Sequence, residues 1–293
     1  MFRTKYLYGE FKPGDLGLLT DLKSEVGMDH IPWLDFEESI NPYRCQGTMP
    51  IERAGTFNSA DLGVDLMGNL GGKLADAEAK TGSHYYDGQY GSWHIGVYNG
   101  GGYHAPENNN NKVIEGRLTI RPLPEMLPGL QLSYFGVKGD GNTAYNNDQF
   151  PDYIVNLGII SYQHPWFTMT GQYFTTQGNA KGDWVDTDND ALDTVGYFLF
   201  GDVKLPILEK KLSVFGRWDH FDADKEEKIA SYAIYDLYLT GAAYDFYKGN
   251  LFMLVYETTD YEDDFGAKKG ANPVPGNNPG DDRKVQAVMQ IKF

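Results

Sequence analysis

The sequence predicts an all-β fold: an antiparallel up-and-down barrel that crosses a membrane. Three observations carry this. Apolar and polar residues alternate with period two over most of the chain. The 293 residues include 21 Tyr, 16 Phe and 35 Gly, yet the mean hydropathy is only −0.48, a balance that suits short strands and turns better than helices. Short and long connections alternate along the second half. No run of eighteen apolar residues occurs, so no membrane-spanning helix is expected. A spanning strand needs only about 9–11 residues with every second one apolar.

In chain order, residues 1–12 read as a first strand. "LLTDLKSEV" (18–26) reads as a second, with Leu22, Val26 and Met28 outward. Residues 29–57 form the longest loop. Its Trp33, Phe36 and Tyr43 suit an inward fold that constricts a pore, a contact with a neighbouring subunit, or a place in the rim. In "SADLGVDLMG" (59–68), Ala60, Leu62, Val64 and Leu66 share one face and Asp61 and Asp65 the other. In 91–100, Trp93, Ile95 and Val97 oppose Ser92, His94 and Tyr98. In 113–122, Ile114, Gly116, Leu118 and Ile120 oppose Glu115, Arg117, Thr119 and Arg121. In 211–221, Leu212, Val214, Gly216 and Trp218 oppose Ser213, Phe215, Arg217 and Asp219. Each is a strand with one apolar and one polar face. "KLADAEAK" (73–80) has helix-forming composition but is too short to stand alone.

The links at 122–129, 163–165, 206–211 and 247–250 are short; those at 100–111, 139–152, 178–193, 222–228 and 261–283 are long and polar. Tight turns on one side of a membrane and longer loops on the other produce this asymmetry. The link at 69–88 fits poorly, since its place calls for a short turn. The pattern gives about thirteen strands, within a range of 12–14. The last strand runs toward the turn side, and parity makes the first do the same. A complete even-stranded barrel would not begin that way, so either the strand count is off by one or upstream strands and a signal peptide precede Met1, and the second is the preferred expectation. The chain is read as one barrel domain, 1–293.

The formal charge is −16 and the pI about 4.7, which argues against nucleic acid as a partner. The single cysteine, Cys45, cannot form an intrachain disulfide. No spacing suits zinc, and no cofactor is expected. Asp186, Asp188 and Asp190 imitate the start of a calcium loop, but Ala191 stands where its glycine belongs and Tyr197 where its glutamate belongs. The sequence lacks a Walker loop, GxSxG, HExxH and a GxGxxG after a strand, and the six His are scattered. No enzymatic activity is predicted.

The chain ends "KVQAVMQIKF" (284–293), with Val285, Ala287, Met289, Ile291 and Phe293 alternating with polar residues. This ending resembles that of bacterial outer-membrane barrels, where Met289, Ile291 and Phe293 would form the signal read by the barrel assembly machinery. "FNSADLGVDLMGNL" (57–70), "WHIGVYNGGGYHAPENN" (93–109), "GRLTIRPLP" (116–124) and "LSVFGRWDHFD" (212–222) follow in an order that resembles porins of the phosphate-selective O and P type. The resemblance covers roughly 57–293, and "GMDHIPWLDFEESINPYR" (27–44) fits an extended outer loop. It implies a Gram-negative homotrimer of sixteen- to eighteen-stranded pores that passes small solutes or ions, including anions such as phosphate. Outer-membrane lipids would surround it.

Pore-lining candidates follow from the strand phase. The basic ones are Arg3, Lys5, Lys23, Arg117, Arg121, Lys204, Arg217, Lys284 and Lys292; the acidic ones are Asp21, Glu25, Asp61, Asp65, Glu115, Asp202, Asp219 and Glu257. The two sets nearly cancel, so phosphate selectivity has weak support. Arg117 and Arg121 could form a basic rung across the pore, but pairing with Glu115 or a cross-strand acid is the preferred reading. Trp93, Trp166, Tyr173, Tyr197, Trp218, Tyr235 and Phe293 are candidates for interfacial aromatic girdles. Besides a diffusion pore, two readings stay open: a structural sheath or scaffold for a partner protein, and a soluble secreted β-protein.

Overall fold

The computed structural model describes residues 4–145, 149–268, 270 and 273–291. These contain thirteen strands: β1 (Leu7–Phe11), β2 (Leu19–His30), β3 (Ala60–Leu70), β4 (Gly91–Tyr98), β5 (Val113–Ile120), β6 (Leu130–Asp140), β7 (Asp152–His164), β8 (Phe167–Gln177), β9 (Asp193–Lys204), β10 (Leu212–Asp222), β11 (Ile234–Tyr247), β12 (Asn250–Tyr261) and β13 (Asp282–Gln290). Each pairs antiparallel with the next in a single sheet ordered β1 to β13. Among the described residues no ladder joins β13 to β1. Links at 165–166 and 248–249 are two-residue turns, opposite the long loops at 99–112, 178–192 and 262–281. The exception at 71–90 holds a short helix, α3 (Ala77–Thr81), overlapping the second half of the stretch read as helix-forming.

Burial follows the predicted phase. In β5, Glu115, Arg117 and Thr119 are buried, whereas Ile114 is 54% and Leu118 50% exposed. Val26, Leu62, Val64, Ile95, Val97, Val214, Val285, Met289 and Ile291 are likewise exposed on the outer face. Two positions depart. Leu22, expected outward, is buried because the β2–β3 register shifts between Thr20 and Lys23, where Asp21 has φ 51°. A bulge of this kind reverses the phase on one side of it. Ala60 is also buried, at the end of β3 where the Tyr103 backbone N–H donates to its carbonyl at 3.0 Å.

The inner face differs between the two halves of the sheet. From β2 to β5 it is polar, with Glu25, Asp29, Asp65, Ser92, His94, Glu115 and Arg117. From β6 to β12 it is mainly apolar, with Phe135, Val155, Leu157, Phe174, Phe198, Phe215, Leu237 and Met253. Strands such as "GYFLFG" (196–201) and "LFMLVYE" (251–257) are therefore apolar on both faces. Lipid-side and core-side burial together give near-continuous apolar runs. A water-filled lumen with charges of both signs was the expectation; an apolar core fills this half instead. Tyr235, expected in an outer girdle, belongs to that core, 3% exposed and packed on Phe221, Tyr261 and Phe265. Trp166 and Tyr173 do face outward.

Candidate functional site

The apolar inner wall is covered by the segment between β2 and β3. Its ends are tied where the backbone N–H of Ile31 donates to the carbonyl of Ser59 at 3.2 Å. Between them lie α1 (Leu34–Ile40), a 3₁₀ turn (Arg44–Gln46) and α2 (Pro50–Ala54). Pro50 opens α2, where its missing N–H costs nothing, and Gly55 ends it at φ 92°, which suits glycine. These helices are too short to persist alone. Packing holds them: Trp33, Phe36, Ile40, Met49, Ile51 and Phe57 are all buried in the apolar cluster of β6–β12. Burial of each such side chain is worth about 1.5–3 kcal/mol. Residues 27–44, expected as an outer loop, thus run from the end of β2 into the interior. Of the three fates open to Trp33, Phe36 and Tyr43, the structure selects the inward one.

Polar groups of the wall fix the segment's position from β5 round to β12. Arg117 Nε donates to the Pro32 carbonyl at 3.1 Å, and its guanidinium lies over Phe36 and Tyr86. Gln163 and Thr170 donate to the carbonyls of Ser39 and Ile40 at 2.7 and 3.0 Å. Gln172 Nε2 donates to Glu37 Oε2 at 2.6 Å, and Asn41 donates to the other oxygen. The Tyr43 hydroxyl donates to Ser213 Oγ at 2.7 Å. Arg217 donates to the carbonyls of Gly47 and Thr48 at 3.2 and 2.6 Å while pairing with Asp219 at 2.5 Å. Arg53 pairs with Glu257 at 3.1 Å, and Lys284 reaches the same carboxylate at 2.9 Å. Burial pushes the Glu37 carboxyl up to about 7, against the opposing pull of its bonds to Gln172 and Asn41 and of the Arg217 and Arg44 charges.

Several of the predicted lining residues also brace the interior, while Asp21, Lys23, Glu25 and Arg117 border a cavity beside the inward segment. Arg117 does not pair with Glu115 and forms no rung; besides Pro32 it donates to Ser92 and Thr119. Arg121 donates to the carbonyls of Tyr86, Gly88 and Pro128 and so joins two turns. Backbone carbonyls take these guanidiniums where an acid was expected, because the inward segment and the 71–90 link bring unpaired carbonyls to the wall. Glu115, Asp202 and Asp219 are buried, Lys204 is half-buried and Lys284 is exposed. Arg3, Lys292 and Phe293 lie outside the described residues. Sequence reasoning missed Gln163, Thr170, Gln172, Ser213 and Arg53 as braces. The signal was there in the near-continuous apolar strands after residue 130, which require a second apolar layer on the inner side.

A cavity of about 830 Å³ remains between the polar strands and the inward segment. Glu10, Asp15, Asp21, Glu25, Asp35, Glu38 and Asp87 line it, against Lys12, Lys23, Lys73 and Arg117. Lys12 and Lys23 both pair with Glu10, at 2.9 and 3.1 Å. The surplus is acidic. The acidic loop at 183–193 is self-satisfied, with Asp186 Oδ1 accepting from the backbone N–H groups of Asp188 and Asp190.

No family model and no curated protein matches the sequence. Solved structures do share the fold. The anion-selective porin from Comamonas acidovorans superposes with a TM-score of 0.57 at 12% identity, covering 90% of this chain and 72% of that one. Outer-membrane expressed OmpT of Vibrio cholerae gives 0.51 at 12% identity, with 90% and 77% covered. The architecture is that of outer-membrane β-barrels.

Proposed function

We propose that this chain forms the wall of a bacterial outer-membrane diffusion channel of the porin kind, narrowed from within by residues 31–59. The single observation that carries the reading is the polar cavity beside that segment: an inward loop braced by Arg117, Arg217 and Arg53 leaves about 830 Å³ open against the polar strands. The outer belt of Leu118, Leu199, Val203, Leu254 and Met289 meets acyl chains; a soluble secreted protein would have to present it to water. Small hydrophilic solutes or ions pass without cofactor or chemistry. The lining carboxylates outnumber the free cations, so the passage favours cations. Anion passage, phosphate included, would need cations that are already committed: Arg117 to Pro32, Ser92 and Thr119, Lys12 and Lys23 to Glu10, and Lys73 to Asp21. The resemblance to phosphate-selective O and P type porins adds a homotrimer and recognition of the chain end by the barrel assembly machinery.

The test is single-channel recording in planar bilayers under a potassium chloride gradient. A small conductance with a cation-side reversal potential is the expected result. An anion-side potential would reinstate the anion reading, and cross-linking in detergent would give the oligomer number. The apolar interior favours a second reading, a largely closed barrel acting as sheath or scaffold for a partner. Insertion without conductance would leave that one standing.

A further inference from the structure

Glu25 and Asp29 on β2 and Asp65 on β3 turn their carboxylates to one point on the inner face. They are 7%, 2% and 4% exposed, and one oxygen from each lies within 4.8 Å of the others. Three buried carboxylates this close repel one another unless one of them takes up a proton or something positive sits between them. The surroundings supply little. Arg117 is turned to Pro32, Ser92 and Thr119, and Lys23 to Glu10. Among the described residues no lysine or arginine pairs with Glu25, Asp29 or Asp65. His30 holds Asp35 at 3.1 Å and stands 3.8 Å from Asp29 Oδ1.

Two further atoms point to a ligand. Asp29 Oδ2 is buried with no hydrogen-bond partner. His94, on the neighbouring β4 and 7% exposed, has an unpartnered Nε2. That nitrogen lies 3.3 Å from Asp65 Oδ2, out of line for a hydrogen bond. The rest of the pocket is already fixed. Asp65 Oδ1 accepts the Glu25 backbone N–H at 3.1 Å, and Oδ2 accepts the Tyr98 hydroxyl at 3.0 Å. The Tyr98 ring reaches there across Gly96, where an added Cβ would meet it at 2.5 Å.

We propose that Glu25, Asp29 and Asp65 are the protein ligands of a divalent cation of calcium's class, with His94 at the rim of the site. Oxygens bound to one calcium ion at 2.3–2.6 Å stand at most about 5 Å apart, so this spacing fits without rearrangement. One divalent ion brings three negative charges to a net of one. It also bolts β2 to β3 at the point where residue 31 turns inward, so the site supports the inward segment whatever the channel carries.

The test uses the folded barrel in detergent, stripped with EDTA and titrated with Tb³⁺ and then Ca²⁺, reading tyrosine-sensitised terbium emission and binding heat. One saturable site per chain that calcium displaces is expected. Asp29→Asn and Asp65→Asn should each weaken it by at least about tenfold, since affinity follows ligand charge. The exposed loop variant Asp186→Asn/Asp188→Asn, which leaves the interior intact, should keep it. Absence of a saturable site in the parent barrel overturns the proposal. So does its loss in the loop variant, or its survival at full affinity in Asp29→Asn and Asp65→Asn.

Discussion

Arg217 shows how one side chain decides whether the interior holds. It spans Asp219, which is fully buried, and two carbonyls of the inward segment. Arg217→Met removes the partner of a buried carboxylate, which costs about 3–5 kcal/mol. Urea unfolding from detergent should show this loss, and Asp219→Asn in the same chain should recover part of it, because the orphaned charge is then gone. Glu37 gives the pH dependence. Its carboxyl in the fold is raised to about 7 by burial, above its unfolded value. The folded state therefore holds the proton more tightly between those values. The stability this contributes is complete below the unfolded value and is lost as pH rises through about 7. The melting temperature should fall between about pH 5 and about pH 8, and Glu37→Gln should flatten that dependence.

In the proposed channel, the inward segment is the element on which conduction turns. Its helices α1 and α2 have no stability of their own, so the apolar wall of β6–β12 holds them in place. Phe36→Ala, at a site with no exposure, costs about 3–5 kcal/mol of that docking. Replacing residues 33–56 with a short Gly/Ser linker should raise single-channel conductance severalfold while leaving the thirteen-strand ladder intact, as amide I infrared absorption would show. Conductance unchanged by the replacement would mean that the passage lies elsewhere. The segment's apolar content was visible in Trp33, Phe36 and Tyr43. Its destination was not, because an aromatic loop packs equally well on a neighbouring subunit until the facing wall is known.

For the whole molecule, the outward belt and the inner core compete for the same residue types. Leu118→Arg places a charge on the outer face of mid-strand β5 and should cost about 2–4 kcal/mol if that face meets the bilayer midplane. Refolding titrations into lipid vesicles measure the cost. A near-zero cost would place that face in water and would remove the membrane reading. The strand phase was legible in β3, β4, β5, β10 and β13, where one face is polar and the other apolar. It misled at Leu22, beside a bulge at Asp21, and at Tyr235, in a strand apolar on both faces.

Dyad alternation, turn residues and loop asymmetry determined, from the sequence by itself, that this is an antiparallel strand meander with an apolar outer face. Those are local properties, set by neighbours two to four residues apart. Only the tertiary structure decided that residues 31–59 enter the interior, that Arg117, Arg121 and Arg217 bind carbonyls, and that Glu25, Asp29, Asp65 and His94 converge. Each of these includes partners tens of positions apart, and strand register brings them together where no local pattern can.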